Sequence, residues 1–369
     1  NLVKKFLTKN ENYQTDKFIG GLPITLEKKD MINLIFKQND NYKYTVTQKV
    51  DGTRVLLYIG HDNSDKRTTG KSRTVCFIDR NMKIYTIRNH KRDILPEVNT
   101  REMLLDGEIV FFDSDGNSHK NLESQKVKGV SFMAFDILFG PENIDIDSDG
   151  QKIIGQEFSM MVPEDGKLRS NPWTYINRYD ILYKLIMPTK YNKFEPILLE
   201  SFKNVNWFNI ELKPIYFLSV LKDIKTIYNN FGTGYLQTLL SKSRQEFYKM
   251  LNQKYSKDMN IFTKKRLVLD GLIFTSVDTL YKIGPWNYNI TTQYKWKPTE
   301  QQTIEFSVKK ISDSKAELYI SKDKKLEPFQ MNYKNAIANV PVYVKNNSIA
   351  EFKMDSSMNF LFVESREDK

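Results

Sequence analysis

The segment Lys49-Val50-Asp51-Gly52-Thr53-Arg54 lies between two β-branched and apolar runs. Thr45-Val46-Thr47-Gln48 precedes it and Val55-Leu56-Leu57-Tyr58-Ile59 comes after it. Both runs have strand composition, and Asp-Gly between them is a tight-turn signal. The lysine therefore stands at the end of one buried strand, at the lip of a turn. Most lysines in such a place are solvated turn residues. The residues downstream decide whether this one is more.

The chain has 369 residues, a length that suits two or three domains. At 40% hydrophobic and 13% aromatic residues it can build a sizeable core, which excludes a disordered protein. Lys and Arg number 56 against 45 Asp and Glu, a net charge of +11 that favours a polyanionic partner such as nucleic acid or nucleotide. An A/T-rich genome gives the same lysine and asparagine bias with no such partner. The single cysteine, Cys76, excludes an internal disulfide and a thiolate metal cluster and fits a reducing compartment. No apolar run approaches the roughly 20 residues that span a bilayer, so no membrane partner is expected. Asn289-Ile290-Thr291 and Asn346-Asn347-Ser348 match the glycosylation sequon by chance, since no secretory signal accompanies them. The first residue is Asn, as expected of an excised domain or a processed chain.

Phe18-Ile19-Gly20-Gly21-Leu22-Pro23 reads as a loop, and Glu27 to Phe36 carries a helical apolar stripe. His61 to Thr74 is a polar surface loop. Its Gly70-Lys71-Ser72 is not a P-loop end, because position 65 is Asp rather than the required glycine. Val75 to Arg80 and Lys83 to Ile87 predict a hairpin. Met103-Leu104-Leu105-Asp106-Gly107-Glu108-Ile109-Val110-Phe111-Phe112 and Val130 to Leu138 predict strands; in the latter, alternation puts Phe132 and Phe135 on opposite faces. Gly140 to Pro172 has the Pro, Gly, Asp and Asn content of a long surface insertion. Helices are expected over Trp173 to Met187 and Tyr235 to Tyr255, and one strand over Ile210 to Phe217. Leu267-Val268-Leu269-Asp270-Gly271-Leu272-Ile273-Phe274 predicts a further strand. In Tyr294-Lys295-Trp296-Lys297-Pro298 two lysines two residues apart share a strand face, and on a buried face they need anionic company. A triphosphate supplies it. From Glu300 onward, short strands at Thr303–Ile311, Ala316–Ile320, Val340–Val344, Ile349–Lys353 and Phe360–Val363 suggest a small barrel. The chain ends in Arg366-Glu367-Asp368-Lys369.

K-x-D-G-x-R, L-D-G-E, F-D-I-L, D-G-L-I, K-W-K-P and R-E-D-K occur here in one order, from Lys49 to Lys369. That set resembles the covalent nucleotidyltransferase superfamily of DNA and RNA ligases and mRNA capping guanylyltransferases. The resemblance implies an α+β fold. A nucleotidyltransferase domain of antiparallel sheets with flanking helices would span 1–298. An OB-fold lid would span 299–369. It implies that Lys49 attacks the α-phosphate of a nucleotide and forms a lysyl–NMP phosphoramidate. Thr53, the Thr303-Ile304-Glu305-Phe306 spelling and Thr47, where ligases usually carry Glu, are similar to the capping form. That spelling implies GTP as substrate and an RNA 5′-diphosphate end as acceptor; the alternative is an ATP-dependent DNA or RNA ligase with a lysyl-AMP intermediate.

By the same resemblance the catalytic set is Lys49, Arg54, Lys295, Lys297, Arg366, Asp368 and Lys369. The nucleotide-binding set is Thr53, Arg80, Glu108, Phe135, Lys213, Asp270 and Glu305, with Phe135 stacking on the purine. Glu108 and Asp270 would hold Mg²⁺ or Mn²⁺, hard cations that take carboxylate oxygen and few protein ligands. The attacking amine must be unprotonated, whereas free lysine is charged at pH 7; burial and the cations Arg54, Lys295 and Lys297 would favour the neutral form. The Asn, Lys and Ile-rich text is similar to that of large DNA viruses or cytoplasmic linear plasmids. That implies an intracellular protein of cytoplasm, viral particle or viral factory, fused to or associated with an RNA triphosphatase and a cap methyltransferase.

Overall fold

The computed structural model describes residues 18–27, 30, 42–61, 73–87, 102–120, 127–148, 152–159, 161–162, 173–186, 207–219, 267–282, 293–297, 302–322, 325–355 and 357–366. Contacts divide the chain into two compact units, Asn1–Trp296 and Lys297–Lys369. The expected helices Glu27 to Phe36 and Tyr235 to Tyr255 lie largely or wholly outside the described residues.

The first unit opens with β1 (Ile24–Thr25), β2 (Tyr42–Val50), β3 (Thr53–His61), β4 (Arg73–Ile78) and β5 (Ile84–Ile87). β6 (Met103–Asp113), β7 (Ser118–His119), β8 (Val127–Pro141), β9 (Ile144–Ile146), β10 (Lys152–Ile154), β11 (Glu157–Ser159) and β12 (Met161–Val162) come next. Then come helix α1 (Tyr175–Ile186), β13 (Trp207–Leu212), β14 (Tyr216–Ser219), β15 (Leu269–Ser276), β16 (Tyr281–Lys282) and β17 (Gln293–Trp296).

Two sheets carry the site. One has five strands in the order β1-β17-β15-β2-β14. The other has eight, along β11-β8-β6-β3-β4-β5, with β13 on β8 and β7 on β6. β2 and β3 do not form a hairpin: the Asp51-Gly52 turn passes the chain from the first sheet to the second. Gly52 is required there because a Cβ would stand 2.6 Å from the Ile109 carbonyl oxygen. The expectation of antiparallel sheets needs correcting at three places among the described residues of this unit, one of them the short parallel pair β12–β16. β1 runs parallel to β17 and β13 runs parallel to β8, each pair joining strands distant in sequence, which need no tight turn.

The core lies between one face of the eight-stranded sheet and α1. Leu57, Ile59, Leu105, Phe132 and Ile137 meet Leu182, Leu185 and Ile186 there. α1 forms where expected because Tyr175, Arg178, Tyr179, Leu182, Leu185 and Ile186 recur at helical spacing and are all buried. Asp180 and Lys184 pair at 2.8 Å one turn apart on the outer side. Truncating the fully buried Leu182 to Ala would cost about 2–5 kcal/mol. The stretch read as a surface insertion is not all surface. β9 and β10 form a small antiparallel pair, and Ile144 is buried in this core.

The expected single strand from Ile210 to Phe217 is two strands in two sheets. β13 ends at Leu212 beside β8, and β14 starts at Tyr216 beside β2. Pro214 has no N–H to continue a ladder, so the chain crosses between sheets at Lys213-Pro214-Ile215. Thr47 Oγ1 holds the crossing through the Pro214 carbonyl at 2.6 Å.

The second unit contains β18 (Thr303–Ser312), β19 (Lys315–Lys322), β20 (Lys325–Pro328), β21 (Gln330–Met331), β22 (Lys334–Asn335), β23 (Ile337–Asn339), β24 (Ile349–Met354) and β25 (Phe360–Ser365). β18-β24-β25-β23-β19 closes on itself through β18–β19, a five-stranded barrel compatible with an OB-like fold. The Phe306 ring centroid lies 5.1 Å from those of both Phe329 and Phe360 in its core. The strand expected at Val340–Val344 is instead a turn, in which Val344 N–H bonds to the Pro341 carbonyl. Pro341 cannot donate to a ladder, and the barrel takes Ile337–Asn339 in its place.

Candidate active site

Lys49 is the penultimate residue of β2 and pairs with Gly271 of β15. The ladder is irregular between Leu269 and Gly271, so Asp270 is an extra residue in the strand. Such a bulge re-aims a side chain. Here it brings both Asp270 carboxylate oxygens to 2.6 Å from Lys49 Nζ. Gly271 comes next with φ 141°, a backbone conformation that a side chain would strain. Thr47 and Lys49 share one face of β2. Ile273 pairs with both Thr47 and Lys295, so Lys295 lies on that same face two strands away.

Arg54, the second residue of β3, is the most heavily held cation of the site. Nε donates to Asp106 Oδ1 at 3.0 Å and Nη2 to Asp106 Oδ2 at 2.6 Å, while Nη1 donates to the Gly21 carbonyl. Its guanidinium lies 5.5 Å from the Phe18 ring centroid and 5.2 Å from that of Phe135. Burial disfavours its charge, but the Asp106 carboxylate outweighs burial and holds Arg54 above the ordinary arginine range.

Lys213, delivered by the crossing between sheets, is buried. Its Nζ lies 3.5 Å from Glu108 Oε2 and 5.3 Å from the Phe135 ring centroid. Desolvation lowers its pKa; Glu108 opposes the shift, and the Lys49 and Arg54 charges add to it. Phe135 is the extra residue of a bulge in β8, between Ala134 opposite Gly107 and Asp136 opposite Asp106. Phe132 turns into the core and Phe135 toward Arg54 and Lys213, as alternation predicts. In this structure two cations lie over the Phe135 ring. Lys49, Arg54, Glu108, Phe135, Lys213 and Asp270 thus converge from separate stretches of the first unit.

Behind them lies a buried layer of residues not singled out in the sequence. Arg178 of α1 donates to both Asp136 oxygens, at 2.7 and 3.0 Å. Its guanidinium also lies 5.5 Å from the Tyr281 ring centroid. Burial pushes the Asp136 carboxyl up, against the pull of Arg178. Asp106 and Asp136 stood inside quoted motifs, and their burial was the missing signal. Nothing in the spacing marks Tyr281 or Arg178 as polar core residues.

The other expected residues are more scattered. Thr53 opens β3 on the face opposite Arg54 and is exposed. Arg80 is exposed in the turn after β4, two residues past Ile78, which pairs with Leu56. β17 ends at Trp296, just before the Lys297-Pro298 pair, so Lys295 has the expected strand face while Lys297 lies beyond the strand. In the second unit Arg366 Nη1 lies 2.7 Å from Glu305 Oε1 and 3.6 Å from Glu351 Oε2. Asp368 and Lys369 lie outside the described residues.

Among the described residues no group of three or more His, Cys, Asp or Glu could hold a metal ion. Glu108 and Asp270 fit a weaker requirement. They are two carboxylates of the same cluster, oxygen donors of the kind that bind a hard divalent ion retaining most of its water. No described helix is long and apolar enough to cross a membrane.

Residues 1–144 match the family model of the mRNA capping enzyme catalytic domain. That stretch contains Lys49, Arg54, Arg80, Glu108 and Phe135, and the match supports a covalent nucleotidyltransferase. No curated protein sequence matches. Among solved structures, a mycobacterial DNA ligase D complexed with ATP and MES is similar at a TM-score of 0.41 and 14% identity, over 89% of this chain and 90% of that one. The ligase domain of M. tuberculosis LigD is similar at 0.32 and 12%, over 90% and 94%. Likenesses this loose carry no argument about substrate.

Proposed function

We propose that this protein is an mRNA guanylyltransferase that forms a lysyl-GMP intermediate on Lys49 and passes the GMP to an RNA 5′-diphosphate end. The observation that carries the reading is the convergence of Lys49, Arg54, Glu108, Phe135, Lys213 and Asp270, within a chain whose first 144 residues match the capping catalytic domain.

Lys49 Nζ attacks the α-phosphate. A P–N bond forms, the nitrogen gives up a proton to solvent, the bond to the bridging β-phosphate oxygen breaks, and pyrophosphate leaves. Asp270 orients the amine, and the fixed guanidinium of Arg54 stabilises charge gathering on the α-phosphate oxygens. Lys213 and Lys295 supply further positive charge. A divalent ion bound by Glu108 and Asp270 would supply Lewis-acid stabilisation of the same charge. In the second half-reaction the RNA 5′-diphosphate oxygen attacks the lysyl-phosphorus. The P–N bond breaks, the leaving nitrogen takes a proton from solvent, and the amine is regenerated.

Incubation with α-labelled GTP or ATP and Mg²⁺, then a denaturing gel, tests enzyme, nucleotide and covalency together. A labelled chain with GTP and not ATP is expected. Labelling by ATP with sealing of a nicked duplex would make the protein a ligase. Labelling by neither would overturn the nucleophile assignment.

A further inference from the structure

Four groups in the first unit close a ring of hydrogen bonds. Gly21 N–H donates to the Tyr281 hydroxyl at 3.2 Å, and that hydroxyl donates to Asp106 Oδ2 at 2.7 Å. Arg54 Nη2 donates to the same oxygen at 2.6 Å, and Arg54 Nη1 returns to the Gly21 carbonyl. With Nε on Asp106 Oδ1, three of the five guanidinium N–H bonds are committed within the protein. Among the described residues the other two have no acceptor. Asp106 and Tyr281 are both buried, so no bulk water competes for these bonds. Burial, then the adjacent Asp106 charge, keeps the Tyr281 phenol protonated and therefore a donor.

The ring also reaches the five-stranded sheet. Gly21 belongs to the segment that continues into β1, where Thr25 is in register with Lys295 and Leu26 N–H bonds to the Lys295 carbonyl at 2.8 Å. Gly20 in that segment has no room for a Cβ, which would meet the Phe18 ring at 2.1 Å and Arg54 Nη2 at 3.0 Å. The segment, the guanidinium and the strand of Lys295 are therefore fitted to one another. Removing the Tyr281 hydroxyl would leave the Gly21 N–H buried without its acceptor. It would also free the Gly21 carbonyl to move away from Arg54.

We propose that Tyr281 is a positioning residue for chemistry at Lys49. Its hydroxyl locks Arg54 from two sides, through Asp106 and through Gly21, and ties it to the strand of Lys295. This rests on the nucleotidyltransferase reading, because Arg54 matters to rate only if a phosphate reacts beside it. A loosened guanidinium keeps its charge but loses its aim, and such looseness is felt in the chemical step.

The test combines one measurement that needs no activity with one that does. In ¹⁵N-arginine-labelled protein, Arg54 Nε–H exchange is compared between the natural protein and Tyr281→Phe. In parallel, single-turnover adduct formation is measured as GTP is varied. Tyr281→Phe should speed the exchange at least 10-fold and slow adduct formation about 10-fold at saturating GTP. The half-saturating GTP concentration should change less than about twofold and the melting temperature by no more than a few degrees. 4-Fluorophenylalanine at 281, which keeps the ring without a donor, should do the same and serves if Tyr281→Phe does not fold. Unchanged exchange would overturn the lock whatever the activity. Faster exchange with an unchanged adduct rate would overturn the positioning role. A natural protein that forms no adduct with GTP or ATP would sink the positioning role together with the nucleotidyltransferase reading. In that outcome the exchange measurement separates the two, because it still shows whether the lock exists.

Discussion

Lys49 Nζ lies 2.6 Å from both carboxylate oxygens of Asp270, on a strand hydrogen-bonded to its own. The lysine is aimed by a single bulged residue rather than buried among apolar side chains. Lys49→Arg should keep the ion pair and the fold yet give no labelled adduct, since a guanidinium does not deprotonate near neutral pH. Asp270→Asn should keep Lys49 but lose its aim and slow GTP labelling by on the order of 10²-fold. Labelling by Lys49→Arg protein would end the nucleophile assignment.

The bulge itself is testable at Gly271. Its φ of 141° is one that alanine adopts only under strain. Gly271→Ala should destabilise the protein by about 1–3 kcal/mol in urea unfolding. It should also reduce labelling more than that loss of folded protein explains, because Asp270 shifts with the strand. Normal labelling would show that the bulge is incidental.

Lys213 predicts a pH dependence. Its folded pKa lies below the lysine value of 10.5, because burial removes water from the ammonium. Between its folded value and 10.5 the unfolded chain therefore holds more of this proton than the folded one. Stability attributable to Lys213 should rise with pH across that window, and its penalty is full below it. The stability of the natural protein relative to Lys213→Met should therefore be lowest near neutral pH and increase toward pH 10 in parallel urea titrations. A difference that falls or stays level with pH would mean that the lysine is not desolvated.

The net charge is unevenly distributed. Lys297–Lys369 contains 12 Lys and Arg against 11 Asp and Glu, so ten of the eleven net positive charges lie in Asn1–Trp296. RNA affinity should fall steeply as salt rises, since phosphate neutralisation releases counterions. Lysine-to-glutamine changes in the first unit should flatten that dependence more than equal numbers in the second. A response to salt that is flat from the start would make the charge a product of composition alone.

How much of this was legible in the sequence depends on the kind of interaction each feature uses. Lys49 and Asp270 sit in short spellings near strand ends, Glu108 and Phe135 in spellings that prove to be mid-strand, and alternation assigned the correct face for Phe135 and for Lys295. The crossing at Lys213 was hidden because Ile210 to Phe217 has strand composition on both sides of it, and Pro214, which has no N–H to continue a ladder, is the local sign of the break between the two sheets. The layer of Asp106, Asp136, Arg178 and Tyr281 leaves no periodic trace. Its partners lie 42 and 175 residues apart, and buried ion pairs depend on tertiary approach rather than local pattern. In the second unit the apolar pattern from Val340 to Val344 looked like a strand. Yet Val342 and Tyr343 are exposed in a turn while Val340 and Val344 fill the core.

Arg366 lies just past the end of β25, and its guanidinium is held by Glu305 of β18 and approached by Glu351 of β24. Thr303 Oγ1 in turn donates to Glu351, so the guanidinium has a built resting place within the barrel. We propose, from the resemblance of R-E-D-K to the capping form, that Arg366 acts on the β- and γ-phosphates of GTP. Those phosphates are present while GMP is being loaded and gone once pyrophosphate has left. Positioning a leaving group for in-line displacement can carry several kcal/mol of a barrier. Arg366→Ala should therefore slow GMP loading by on the order of 10–100-fold and leave transfer from isolated enzyme–GMP to diphosphate-ended RNA within about twofold. Glu305→Gln keeps the guanidinium and weakens only its resting place, so it should affect loading less than Arg366→Ala. The two half-reactions are measured separately, one by label entering the protein and the other by label leaving it for RNA. Equal losses in both, accompanied by a lower melting temperature, would mean that Arg366 serves the barrel. Unchanged loading would mean that the match at the end of the chain is chance.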